Sequence, residues 1–206
     1  MKKIVCLLFS LLLCVSLLPV GTVADGPTPA PENVKYVDFD DMSFWVNGQK
    51  FTLGVNTLQD MIDAGVVFDE EDLEDADNNL RKNMKSETFR FDLTENGYAT
   101  VKVINDTKKG KRLADCVLSQ LYVSFWKHPE ELEESILSMS FPLSITKEQL
   151  LENAGEADES SHSDYSDYYA DYFTYKKSAK KYFGYNKFSF TFRNGALDSF
   201  TVEYLP

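Results

Sequence analysis

One pattern is spelled twice in this chain and limits what it can fold into. Residues 89–97 read Phe-Arg-Phe-Asp-Leu-Thr-Glu-Asn-Gly, and residues 188–195 read Phe-Ser-Phe-Thr-Phe-Arg-Asn-Gly. Each is an alternating aromatic strand that runs into an Asn-Gly turn, the strongest short-range hairpin signal. Upstream of each lies a short capped helix ending in Ala-Gly, at Ala64-Gly65 and at Ala154-Gly155. A helix followed by a hairpin, repeated once, predicts an α+β fold: two tandem helix plus antiparallel β-sheet repeats sharing one continuous sheet.

The ends bound the rest. Met1-Lys2-Lys3, an apolar run from Ile4 to Leu18 and the small-residue site Val20-Gly21-Thr22-Val23-Ala24 describe a secretory signal peptide over residues 1–24. The run is shorter than the roughly 20 apolar residues a bilayer span needs. Leu11-Leu12-Leu13-Cys14 loosely resembles a lipid-attachment site, but Leu13 stands where such sites need a small residue. Plain cleavage and an extracellular location are therefore expected, ahead of lipid anchoring at Cys14. Residues 25–33, with prolines at 27, 29 and 31, read as an extended linker. The first repeat is then expected over 34–139 and the second over 140–206.

Composition decides between partner classes. Removing Lys2 and Lys3 leaves 19 basic residues against 33 acidic ones, a formal charge of −14. That excludes general nucleic-acid binding, which depends on phosphate neutralisation, and disfavours anionic membranes. Only Cys116 survives signal removal, so no internal disulfide is expected, and its apolar neighbours predict a buried thiol. With 14% aromatic residues, a chain of about 180 residues can bury a core without one.

The remaining elements follow from pattern. A two-residue Asn47-Gly48 turn sets Phe44 opposite Phe51 and Met42 opposite Leu53. Asn56 or Thr57 caps the first helix, and Thr146 to Gln149 forms a capping box on the second, with Leu150 and Leu151 facing inward. Leu73, Ala76, Leu80 and Met84 recur at helical spacing, which predicts a second, exposed helix from Asp69 onward. A three-residue Glu95-Asn96-Gly97 loop, with Gly97 left-handed, would place Leu93 opposite Ala99, Phe91 opposite Val101 and Phe89 opposite Val103. Leu113 to Phe125 reads as a long central strand, His128-Pro129 as its break, and Ser140 to Ile145 as extended. The apolar period slips between Leu197 and Phe200, which predicts a bulge.

The helix from Thr146 to Gly155 and the Phe-x-Phe-x-Phe-x-Asn-Gly hairpin together resemble the tandem-repeat fold of β-lactamase inhibitor proteins. They are also similar to the module of the small lipoprotein of the outer-membrane assembly machinery. The stretches Phe44-Trp45-Val46-Asn47-Gly48-Gln49 and Asp115-Cys116-Val117 are similar to uncharacterised secreted proteins of Gram-positive gut bacteria. These resemblances imply a binding or inhibitory module with no chemistry of its own. They carry over no contact residue.

Chemical motifs are sparse. The two histidines, His128 and His162, sit in no recognisable catalytic frame. There is no Gly-x-Ser-x-Gly, no His-Glu-x-x-His and no phosphate-cradling loop. Asp75-x-Asp77-x-Asn79 opens like a calcium loop, but Leu80 and Ser86 stand where such a loop needs Gly and Glu. No cofactor and no metal site are expected. Two binding candidates remain. Tyr165, Tyr168 and Tyr169 lie on what reads as a mobile acidic loop and can stack on sugars or anchor a protein. Two basic knots, Lys108-Lys109-Gly110-Lys111-Arg112 and Lys176-Lys177 with Lys180-Lys181, could hold an anionic wall polymer or an acidic partner if folding brings them together, with Lys108, Lys109, Lys176 and Lys177 as the candidate contacts. Asn105-Asp106-Thr107 matches a glycosylation sequon.

The expected protein is a secreted, monomeric, non-enzymatic binding module for an extracellular protein or glycan. The alternatives are an enzyme or enzyme accessory using surface carboxylates, and a small-ligand or calcium binder.

Overall fold

A computed structural model describes residues 34–94, 97–126 and 136–206. The signal and linker segments, the Glu95-Asn96 tip and His128-Pro129 lie outside the described residues. The fold is α+β and dominated by antiparallel sheet, with three short α-helices among the described residues.

β1 (Ser43–Val46) and β2 (Gln49–Thr52) form the first hairpin, with Phe44 facing Phe51 as the turn predicts. Asn47 and Gly48 both take positive φ, 52° and 77°, as the tight two-residue turn between right-twisted strands requires. α1 (Leu58–Asp63) follows, capped by Thr57 in a full capping box with Asp60, and it buries Leu58 and Met61. The expected second helix is cut to one turn, α2 (Glu70–Glu74), which buries nothing. Its predicted continuation instead forms β3 (Asn79–Leu80), paired with β6 (Lys111–Arg112). The three acids in the first turn of α2 suit its dipole, but Leu73 and Ala76 give only a narrow apolar stripe, too little to hold a longer helix on the core.

β4 (Phe89–Thr94) and β5 (Gly97–Ile104) make the second hairpin in a register two residues from the expected one: Phe91 faces Ala99 and Phe89 faces Val101. An irregularity between Asp92 and Thr94 absorbs the difference. Because the slide is even, every side chain keeps its face, and Phe89, Phe91 and Leu93 are all buried as expected. Gly97 is not left-handed. Its need for glycine is steric, since a Cβ there would stand 2.8 Å from the Ser124 carbonyl oxygen. β7 (Val117–Phe125) is central, but a 3-10 turn at Leu113–Asp115 takes the start of the predicted strand.

The chain between β8 (Leu137–Ser138), which pairs with β1, and the next helix is a run of bends rather than the expected extended segment. Pro142 closes a tight turn by accepting from Ile145 N–H, and the run tucks Phe141, Leu143 and Ile145 into the core. α3 (Lys147–Ala154) carries the predicted Thr146–Gln149 capping box and ends at Gly155, φ 80°. Leu150 is fully buried, whereas Leu151 is 37% exposed. One residue along a helix is a turn of about 100°, so adjacent leucines do not share a face. β9 (Glu159–Asp164), β10 (Tyr169–Ser178), β11 (Tyr185–Arg193) and β12 (Ala196–Glu203) complete the chain. The expected bulge is present: Phe192 faces Leu197 and Thr191 faces Ser199, leaving Asp198 as the extra residue.

The main sheet has the order β4-β5-β7-β12-β11-β10-β9. Its register sorts side chains into two faces. Phe91, Ala99, Val123, Phe200, Phe190 and Phe173 form one cross-strand row of the inner face. Phe141 packs edge-on to Phe190 and Phe200 at 5.2 and 5.1 Å, and Phe68 packs on Phe91 at 5.6 Å. The small sheet, the helices and these bends thus cover the inner face.

Candidate functional site

Two surfaces stand out, the outer face of the main sheet and one end of it. On the outer face the rows read Arg90, Thr100, Tyr122, Thr201, Ser189, Thr174 and Asp92, Tyr98, Ser124, Ser199, Thr191, Tyr172. Most of these are part-exposed, and α2 abuts them at the β4 edge. At the β4 side the face gathers its aromatic groups. Tyr98 lies 6.0 Å from Tyr122 and 5.8 Å from Trp126, which is 58% exposed. The Arg90 guanidinium stands 4.7 Å over the Tyr98 ring and 6.0 Å from that of Trp126. Arg90 is held by Asp92 at 3.0 Å, and its backbone N–H donates to Asp72 at 2.6 Å. Burial and the adjacent Tyr122 push the Tyr98 phenol above its ordinary range. Asp69, Asp72, Arg90, Tyr98 and Tyr122 line a shallow depression of about 400 Å³. Sequence reasoning missed this cluster. Its members are spread over three strands, and only the register joins them.

The second surface lies where β5, β6, β10 and β11 end, and Asn105 organises it. Fully buried, Asn105 donates from Nδ2 to the carbonyls of Leu80 and Lys109, each at 2.8 Å, and accepts at Oδ1 from the Thr107 hydroxyl at 2.7 Å. The sequon residues thus serve as a loop clamp, and the amide that a glycan would need is consumed by the fold. The clamp joins residues 79–86 to 105–112. The β10–β11 turn docks on both: Tyr182 donates to Asn83 Oδ1 at 2.6 Å, and Lys181 Nζ stands 3.9 Å from Asp106.

The sequence-predicted residues separate on this geometry. Lys108 and Lys109 belong to this end, as do Lys180 and Lys181, so only the second half of the second knot reaches the first. Lys176 and Lys177 do not form part of it. They are spent in ion pairs with Glu159 and, at 2.7 Å, with Asp40. Tyr165, Tyr168 and Tyr169 lie at the opposite end of β10, about 30 Å away for nine strand steps. They are not on a loose acidic loop. β9 and β10 form a regular hairpin whose turn is closed by Tyr165 N–H donating to Tyr168 carbonyl at 2.8 Å. Tyr165 and Tyr168 stack on each other at 4.5 Å, and Arg193 covers Tyr168 at 4.5 Å.

Beside them, Asp171 is buried and accepts from Lys147 at 2.9 Å, and His162 Nδ1 lies 2.7 Å from it. Burial pushes the Asp171 carboxyl up, but the Lys147 and His162 bonds outweigh it and leave the group below the usual range. Bonds to Asp171 and Asp164 raise His162 above its ordinary value. Cys116 is buried and donates to the Arg112 carbonyl at 3.3 Å, and burial pushes its thiol up to about 11. In the calcium-like stretch, Asp75 accepts from Asn78 and Asp77 pairs with Arg112 at 2.9 Å. No group of three or more metal-ligating side chains occurs among the described residues.

Comparison with family models, with curated proteins and with solved structures gives no match.

Proposed function

We propose that this chain is a secreted, non-catalytic binding module that takes an extracellular protein or glycan partner on the outer face of its main sheet. The observation that carries this reading is the Arg90–Tyr98–Tyr122–Trp126 cluster on a part-exposed sheet face. Tyr, Trp and Arg are the residues that dominate interface energetics, and rigid aromatic groups on strands lose little entropy on binding. Size favours a protein over a glycan. Seven strands spaced about 4.8 Å apart and three rows deep present on the order of 600 Å². That approaches the ~800 Å² per partner of a standard interface.

The strand order supports the tandem-repeat reading. β4-β5-β7 and β10-β11-β12 are two meanders whose last strands, β7 and β12, meet at the centre of the sheet. The helix cap of each half bridges to the beginning of its own last strand, Thr57 to Val117 and Thr146 to Ala196. A face shared by two such halves is wide because each half supplies three strands.

The test is capture on the immobilised protein from secreted and cell-surface extract, in parallel with Tyr98→Ala/Trp126→Ala. A partner retained by the parent and lost by the variant is the expected result. Equal retention by both would move the partner off this face. Hydrolysis of a wall or peptide substrate by the purified protein would overturn the non-catalytic reading.

A further inference from the structure

The end of the molecule organised by Asn105 concentrates basic residues within an acidic chain. Its three interlocked segments, 79–86, 105–112 and 178–185, contain Arg81, Lys82, Lys85, Lys108, Lys109, Lys111, Arg112, Lys180 and Lys181 against the single acid Asp106. The whole chain carries −12. Lys85 is paired with Glu203, Arg112 with Asp77 and Asp115, and Lys181 with Asp106. Among the described residues, no carboxylate lies within ion-pair distance of Lys108, Lys109 or Lys180, which are all exposed.

Apolar groups stand among these charges. Phe183, at the tip of the β10–β11 turn, is fully exposed, and Met84 and Tyr185 are about half exposed. Phe183 supports nothing in the fold, so its exposure has no structural return. A basic surface with a protruding aromatic residue is complementary to a lipid interface. Anionic headgroups meet the lysines, and the ring enters the boundary between headgroups and acyl chains. A soluble polyanion would use the lysines and leave Phe183 in water.

We propose that this pole docks the protein peripherally on an anionic lipid bilayer, with Lys108, Lys109 and Lys180 against lipid phosphates and Phe183 inserted. Net charge alone disfavours such a surface, but screening confines each charge to about 10 Å, so local segregation decides. The outer sheet face plays no part in this contact, and the two surfaces are tested separately.

The experiment is sedimentation of the exported protein with phosphatidylcholine vesicles, with and without phosphatidylglycerol. Parent and variants share one N-terminus, so its contribution cancels in their ratio. Binding is expected only with phosphatidylglycerol, and it should weaken as salt is added. Lys108→Glu/Lys109→Glu/Lys180→Glu should lower vesicle affinity about a hundredfold. Phe183→Ser should lower it about tenfold. Phe183 touches no core group, so this variant keeps its fold, which circular dichroism verifies. In Phe183→Trp, the added indole emission should shift to the blue on vesicle addition. Binding that does not depend on phosphatidylglycerol overturns the proposal. So does Phe183→Ser at parental affinity, or an indole emission in Phe183→Trp that vesicles leave unchanged while soluble polyphosphate competes fully. The last result would assign the pole to an anionic polymer.

Discussion

The two ends of β10 carry similar residue types and use them in opposite ways. At the Tyr169 end, tyrosines, acids, a histidine and basic groups satisfy one another. Tyr165 stacks on Tyr168, Arg193 covers Tyr168, and Asp171 holds both Lys147 and His162. At the Ser178 end, Lys108, Lys109 and Lys180 have no carboxylate within ion-pair distance among the described residues, and Phe183 is fully exposed. Exposed aromatic and charged residues do not by themselves make a binding surface. What counts is the interaction capacity left over once the fold has used what it needs. By that measure the tyrosine hairpin is closed and the lysine end is open.

The most severe way to break this contrast is to remove the clamp that assembles the open end. Asn105→Ala deletes bonds to Leu80, Lys109 and Thr107, and of the two carbonyls only that of Lys109 keeps another side-chain donor, the Thr107 hydroxyl. The cost should be about 3–4 kcal/mol by urea unfolding. Vesicle binding should fall with it, because Lys108 and Lys109 would lose their placement. A loss below about 1 kcal/mol would mean that the loop is held by its strands alone.

At the closed end the corresponding change is Asp171→Ala. It strands Lys147 and His162, each of which keeps access to water. The expected loss is therefore smaller, about 2 kcal/mol in the same assay. Tyr165→Ala sharpens the contrast further. It should cost at most about 1 kcal/mol, the worth of an aromatic pair. Capture of the partner and vesicle affinity should both stay at the parental level. A clear loss of either would return the tyrosine hairpin to the binding surface.

How much of this was legible in the sequence depended on range. Capping boxes and Asn-Gly turns act within four residues, and Thr57, Thr146, Asn47-Gly48 and Asn194-Gly195 all stand as read. The binary pattern of the strands also survived a two-residue error in register, since faces depend on parity and not on partner. The helical spacing from Leu73 to Met84 misled because spacing says nothing about whether an apolar stripe finds a core. Met84 ended up exposed and Leu80 in a strand. The candidate surfaces were the least legible. Lys108 and Lys176 look alike in sequence, and only the fold sets an acid beside Lys176. Arg90, Tyr98 and Trp126 meet through strand pairing, for which no local signal exists.

The smallest effect, and the one most specific to the closed end, is its response to pH. Bonds to Asp171 and Asp164 hold the folded His162 above its ordinary value of 6.5. A group raised in this way stabilises the fold fully at pH below its unfolded value. That contribution is lost as pH rises through the folded value. Asp171, held low, contributes in the opposite sense, with stability that is lost only in acid. Between these limits the hairpin of β9 and β10 should loosen as pH rises above 6.5, while the Asn105 clamp, which contains no titrating group, should not. Amide hydrogen exchange reads the two ends in one experiment. After correction for intrinsic rates, protection in β9 should fall across this window and protection around Asn105 should stay level. His162→Gln should flatten the β9 profile. If the two ends instead lose protection in parallel, the transition is global and the closed end does not owe its order to the His162–Asp171 bond.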